Sequence, residues 1–282
     1  MIPRSEIRPL LRRLEINSRR LLAGLAGGDY RSLLCGQGLE FTDLRLYQPG
    51  DDIRAIDWNA TARSGVPHSK QFSEERSRSM TLLADISGSM TPAKRRLLLE
   101  TAALLAFAAV AHRDRLGLIT FSDRIETLVR PRTGRSHALR ILDEILTGAP
   151  SGRGTDLHPP LETALAVGKR PGLLILLTDG HGSLPRHLLN KVTARHELLL
   201  LPLRDSREQH LPGAGLTRFE DAETGRQRLV DLSTAALAGG WQRLDRQLVM
   251  QLRRHRIDHT FLRSEQPIFP TLAALFRRRR RR

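Results

Sequence analysis

The chain has 282 residues, 40% of them apolar and 27% charged, which is ordinary for a soluble globular protein and enough for one large domain or two smaller ones. Its formal net charge is +16, and the run Arg277 to Arg282 supplies six of those charges. Such an excess invites an anionic partner, but aromatics make up only 4% and are not interleaved with the arginines for base stacking. No nucleic-acid partner is therefore expected, while peripheral contact with an anionic membrane through the basic surface stays open as an alternative. The lone cysteine, Cys35, cannot close an internal disulfide, which points to a reducing, cytoplasmic setting. As a small free thiol it is expected to be buried or half-buried. No stretch has the form of a signal peptide, and the most apolar one, Leu97 to Ala111, contains Glu100 and is too short for ~30 Å of hydrocarbon.

In chain order, residues 5 to 24 place Ile7, Leu10, Leu11, Leu14, Leu21 and Leu22 at helical spacing, with Arg12, Arg13, Arg19 and Arg20 between them. This predicts a basic amphipathic helix, capped by Ser5, that docks on the body. Residues 36 to 79 lack a helical period. Turn signals at Pro49-Gly50-Asp51-Asp52 and Ser64-Gly65-Val66-Pro67 separate short apolar runs, predicting extended segments with Trp58 as their core anchor. From Met80 strands and helices alternate. Strands are expected at 80–85, 115–121, 125–129, 172–177 and 198–203, and helices at 92–112, 136–146, 157–167 and 184–194. A hairpin at 216–232, a helix at 234–255 and a strand at 257–262 follow, and Pro267 onward reads as a short apolar turn before polyarginine. The fold class is α/β, with an open, mostly parallel sheet covered by helices on both faces. The boundaries are 1–79 for the N-terminal helix and β-rich elaboration, 80–263 for the α/β domain, and 264–282 for a basic tail.

In such sheets ligands bind beyond the carboxyl ends of the strands. Three pieces of sequence belong there: Asp85-Ile-Ser87-Gly-Ser89, Gly152-Arg-Gly154-Thr155-Asp156, and Thr178-Asp179-Gly180. Hydroxyl and carboxylate oxygens without nitrogen or sulfur suit a hard divalent cation, Mg2+ or alternatively Mn2+ or Ca2+. Asp156 is expected to cap or support its loop. Asp-x-Ser-x-Ser alone could equally cap the helix that follows it. The ten histidines offer no His-x-x-x-His pair, and there is no Gly-x-Ser-x-Gly elbow.

Together these residues resemble the von Willebrand factor A domain and its metal-ion-dependent adhesion site. The resemblance covers residues 80 to 263 and implies that Asp85, Ser87, Ser89, Thr155 and Asp179 hold the metal. Upstream, Gly38-x-Glu40-Phe41-x-Asp43-x-Arg45-x-Tyr47-x-Pro49-Gly50-Asp51-Asp52-x-Arg54-x-Ile56-Asp57-Trp58 resembles the signature of the bacterial "domain of unknown function 58" proteins. That family implies a MoxR-type AAA+ ATPase as partner in protein maturation or complex assembly. Many of its members carry two N-terminal transmembrane helices, and none is read here. No Gly-x-x-x-x-Gly-Lys-Ser/Thr loop is present, so ATP hydrolysis would belong to the partner. The cluster Asp43, Arg45, Asp51, Asp52, Arg54, Asp57 and Arg63 reads as a structural ion-pair network or, with Trp58, as a partner-docking surface.

The expected function is a Mg2+-dependent protein-binding adaptor that grips an acidic side chain of a client and is not itself an enzyme. A metal-dependent hydrolase is the alternative, set back by the lack of an evident acid–base pair. Binding of nucleic acid or anionic membrane through the Arg277 to Arg282 run is the other.

Overall fold

A computed structural model describes residues 9, 11–16, 18, 41–48, 51, 56–72, 79–152, 154–180, 184–209, 215–220, 226–231 and 238–280. Cys35 lies outside them. The first strands, Phe41–Leu46 (β1) and His68–Phe72 (β2), pair antiparallel as a sheet of their own. Between them Trp58–Ser64 forms a helix (α1) where the sequence pattern predicts only extended chain. Its ends explain it. The Asp57 side chain accepts the amides of Asn59 and Ala60, and Gly65 closes the last turn at φ 73°. None of its residues is buried, so no apolar stripe announces it. Trp58 accordingly is not a core anchor: as the first residue of α1 it is 68% exposed.

The main sheet has seven strands. Ser79–Asp85 (β3) lies at its centre, flanked by Arg115–Phe121 (β4) on one side and Leu173–Thr178 (β6) on the other. Ile125–Arg132 (β5) closes the β4 edge, and it alone pairs antiparallel. Beyond β6 come Glu197–Arg204 (β7) and two short strands on β7, Asp258–His259 (β10) and Leu262–Arg263 (β11), all parallel. A separate hairpin, Leu216–Glu220 (β8) with Gln227–Asp231 (β9), stands where it is predicted.

Successive strand residues point to opposite faces, and both faces are apolar because both are covered. Leu82, Ala84, Leu116, Leu118, Ile175, Leu177, Leu199 and Leu201 face one layer, built from Pro92–Ala111 (α2), Arg135–Thr147 (α3) and, at the chain's end, Ile268–Arg280 (α8). Leu83, Ile119, Phe121, Leu174, Leu176, Leu198 and Leu200 face the other, built from His158–Val167 (α4), Arg186–Arg195 (α5) and Ala238–Arg254 (α7). A four-residue turn of helix, Ser206–Gln209 (α6), follows β7. Burying each of these leucines contributes about 2 kcal/mol.

The apolar run Leu97 to Ala109 is accounted for by burial within the protein. α2 is covered on nearly every side, as expected of a helix that is apolar all round. Among the described residues no helix is long and apolar enough to cross a membrane. Residues 11–16 are helical: Leu11 is buried in the α2 layer, Leu14 packs against it, and Glu15 pairs through both oxygens with Arg135, each contact 2.6 Å.

The region after Pro267 departs from the predicted short turn and loose basic end. Residues 268–280 are one helix with Leu272, Ala273, Leu275 and Phe276 buried, and Arg279 bridges Glu197 at 2.7 Å and Asp258 at 3.1 Å. Pro270 is tolerated because it falls in the first turn, where no intrahelical N–H is needed.

Candidate metal centre

Parallel strands bring their carboxyl ends to one edge. The register sets Asp85 beside Phe121 and Ala84 beside Leu177, so the turns after β3, β4 and β6 open together. Asp85 is wholly buried at the tip of β3. One of its oxygens accepts the Ser87 amide at 2.9 Å, and the other accepts the Thr178 hydroxyl at 2.6 Å. Those two bonds fix the turn that carries the serines, and the Ser87 and Ser89 hydroxyls lie 3.1 Å apart. From a loop 68 residues further on, the Thr155 hydroxyl donates to Ser87 Oγ at 2.8 Å. Asp179, also wholly buried, accepts the ammonium of Lys94 at 3.2 Å, and the same ammonium donates to the Ser89 carbonyl at 3.2 Å. The five residues singled out in the sequence thus occupy one spot. The Asp156 carboxylate accepts the His158 amide at 2.9 Å and so supports the start of α4.

A second carboxylate holds the Thr155 loop in place. Glu126 on β5 accepts from Ser122 Oγ at 2.5 Å, Ser151 Oγ at 2.6 Å, and the amides of Ser151 and Gly152 at 2.9 and 3.0 Å. Burial alone would raise its pKa, but these donors outweigh it and hold the carboxyl at about 2. Gly152 permits the close approach, since a Cβ there would overlap the carboxylate of Asp123. The Asp179 side is held by Arg204, which is 2% exposed. Its guanidinium donates to the Asp179 carbonyl and forks onto Asp245 of α7 at 2.6 and 2.9 Å.

Two buried carboxylates close together are costly to ionise. Burial, followed by the charge of Asp179, pushes the Asp85 carboxyl up to about 6, against hydrogen bonds from Ser87 and Thr178 that favour its charged form. Among the described residues no group of three or more His, Cys, Asp or Glu side chains is placed to hold a metal. The donors here are three hydroxyls and two carboxylates, oxygen throughout, a set that suits a hard divalent cation. Seating of the Lys94 ammonium against the Asp179 carboxylate and the Ser89 carbonyl shows that positive charge is accommodated at this spot.

The signature cluster behaves differently from the centre. Arg45 and Asp51 form an ion pair at 2.5 Å, Asp51 also accepts the Gln48 amide at 3.0 Å, and Asp57 caps α1. Arg63 and Trp58 are exposed on α1. Asp43 lies on β1 opposite Gln71. Asp52 and Arg54 lie outside the described residues. Sequence reasoning missed Lys94, Glu126 and Arg204. Lys94 carried a usable signal, because a lysine in the first turn of a helix opposes the helix dipole and needs an acidic partner. Thr178 was placed at this edge together with Asp179, and the structure adds its bond to Asp85. Glu126 and Arg204 are far from the motifs in sequence and carried none.

The profile of the family described as "Protein of unknown function DUF58" matches residues 43–248. The uncharacterized protein Rv1480 of Mycobacterium tuberculosis is 34% identical over 223 residues, covering 76% of this chain and 70% of that protein. The magnesium-chelatase 60 kDa subunit of Cereibacter sphaeroides is 35% identical over 121 residues, covering 41% of this chain and 21% of that subunit. Among solved structures, the conserved hypothetical protein BatB from Bacteroides thetaiotaomicron aligns at a TM-score of 0.45 with 11% identity, covering 73% of this chain and 100% of that one. That last likeness is loose.

Proposed function

The chain belongs to the DUF58 family, and from that premise we propose that it is a metal-dependent protein-binding module rather than an enzyme. The observation that carries the reading is the contact between Thr155 and Ser87, which joins two distant loops into one oxygen-lined centre above two buried carboxylates. Ser87, Ser89 and Thr155 would touch a divalent ion, with Asp85 and Asp179 holding it directly or through water. When bound, the ion supplies a coordination position that attracts an acidic side chain of another protein. Asp85 orients the serine turn and supplies charge, and Glu126 keeps Thr155 in reach. Mg2+ is the proposed ion. The proposed setting is the cytoplasm, where a client is passed to a MoxR-type AAA+ ATPase. Resemblance of the upstream signature supports the ATPase partner, and relatives that are by name subunits of a larger enzyme suit a role in assembly.

The test is co-purification of the tagged full-length chain from its own host with Mg2+ or with EDTA, followed by identification of what is lost. Partners that leave with EDTA and return with Mg2+ are the expected result. A partner set indifferent to EDTA would overturn the proposal.

The pH dependence has a defined sign. The Asp85 carboxyl rises from its ordinary 3.8 to about 6 on folding, so between those values the folded chain holds more protons than the unfolded one. With EDTA present, Asp85 therefore disfavours folding increasingly as pH rises through 6, by on the order of 3 kcal/mol above it. The thermal midpoint in EDTA should rise as pH falls from about 7 to about 5. Metal binding should move oppositely. A protonated carboxyl is no ligand, and Mn2+ affinity by calorimetry is expected to drop about tenfold over the same interval.

A further inference from the structure

Lys94 occupies a place that two physical effects make unfavourable for a lysine. It lies in the first turn of α2, where the helix end is already positive, and its side chain is only 1% exposed. Its ammonium is held there by Asp179 and the Ser89 carbonyl, and Asp85 lies across the same centre. Arg95, next along the helix, adds a second positive charge at the rim. It donates to the carbonyls of Ile86 at 2.7 Å and Gly148 at 3.2 Å, so backbone oxygens hold it, whereas Lys94 reaches a carboxylate of the centre.

The formal charge follows from these partners. Asp85 and Asp179 contribute two negative charges, and Lys94 cancels one. A divalent ion would therefore leave these groups with net positive charge, where the same two carboxylates without Lys94 would be neutralised. We propose that Lys94 sets the charge of the metal centre: its buried ammonium opposes the bound cation and weakens its hold, and it leaves the loaded centre positive so that an acidic ligand group is selected over a neutral one. This rests on the metal-dependent reading above and adds to it the residue that determines ligand class. A neutral carbonyl or hydroxyl gains little from the excess charge, while a carboxylate gains a full charge–charge attraction.

The experiment compares the full-length wild type with Lys94→Met, and with Lys94→Arg, which keeps the charge. Calorimetric titration with Mn2+ is expected to give about tenfold tighter binding for Lys94→Met and no tightening for Lys94→Arg. Acetate added to the Mn2+-loaded proteins, followed by water-proton relaxation, should displace bound water from the wild type at about tenfold lower concentration than from Lys94→Met. Should Lys94→Met fail to fold in EDTA, refolding in millimolar Mn2+ is the reading: recovery of a cooperative thermal transition supports the proposal, and failure at every Mn2+ concentration overturns it. Equal or weaker Mn2+ binding by Lys94→Met, with wild-type binding that disappears in Asp85→Asn, overturns the role of Lys94 and leaves the metal centre standing. Equal acetate response in the two proteins overturns the selection of acidic ligands. No Asp85-dependent Mn2+ binding by either protein at millimolar concentration overturns the metal centre itself, and the role of Lys94 with it.

Discussion

Asp85→Ala should leave a folded chain that binds Mn2+ at least about a hundredfold more weakly than the wild type. The loss has two sources. One is a carboxylate of the donor set. The other is the turn itself, because Asp85 accepts both the Ser87 amide and the Thr178 hydroxyl, and without it Ser87 is held toward Thr155 less firmly. Folding should survive. The orphaned donors cost about 1–3 kcal/mol, but the buried carboxylate that disfavoured the folded state near neutral pH is gone. Calorimetry with Mn2+ and a thermal melt in EDTA separate the two effects. Undiminished Mn2+ affinity in a folded Asp85→Ala protein would remove the centre from these residues altogether.

Arg204→Met carries the largest expected cost in stability, about 3–5 kcal/mol. The guanidinium is buried at the end of β7 and serves three neighbours at once: the Asp179 carbonyl, the Leu203 carbonyl at 3.1 Å and the Asp245 carboxylate. It also stands 5.3 Å from the centre of the Phe261 ring. Methionine fills much of the same volume but leaves Asp245 as a largely buried carboxylate without its cation. Lysine does not restore the arrangement, since a single ammonium cannot reproduce the fork. Urea denaturation measures the cost, and hydrogen exchange in α7 should show that helix opening first, because Asp245 is its polar tie to the sheet edge. A variant within about 1 kcal/mol of wild type would show that the pair contributes little.

Much of this molecule is legible in its sequence. The runs at Leu82 to Ala84 and Leu173 to Leu177 are short and apolar on successive positions, as a strand covered on both faces requires, and their alternation with helical segments places a parallel sheet. The candidate centre was legible for a related reason. Asp85, Thr155 and Asp179 stand at junctions where strand or loop gives way to helix, and in parallel sheets those junctions meet at one edge. Elements made by their ends or by distant partners were harder. α1 owes its existence to the caps Asp57 and Gly65 and has no buried face to advertise it. The arginine-rich end reads as a tail because Pro267, Pro270 and the charges dominate it, yet Leu272, Leu275 and Phe276 find a ready surface on the α2 layer.

By itself the sequence determined the α/β alternation, the position of the oxygen donors at strand ends and the family signature before them, because each depends on residues close in the chain. Which charges face that centre depends on how the distant elements pack. Lys94 meets Asp179 across 85 residues, Arg204 meets Asp245 across 41, and Glu126 reaches Ser151 across 25. No local pattern encodes such pairings. They follow from strand register and helix packing, and they set the electrostatics on which the five-residue centre depends.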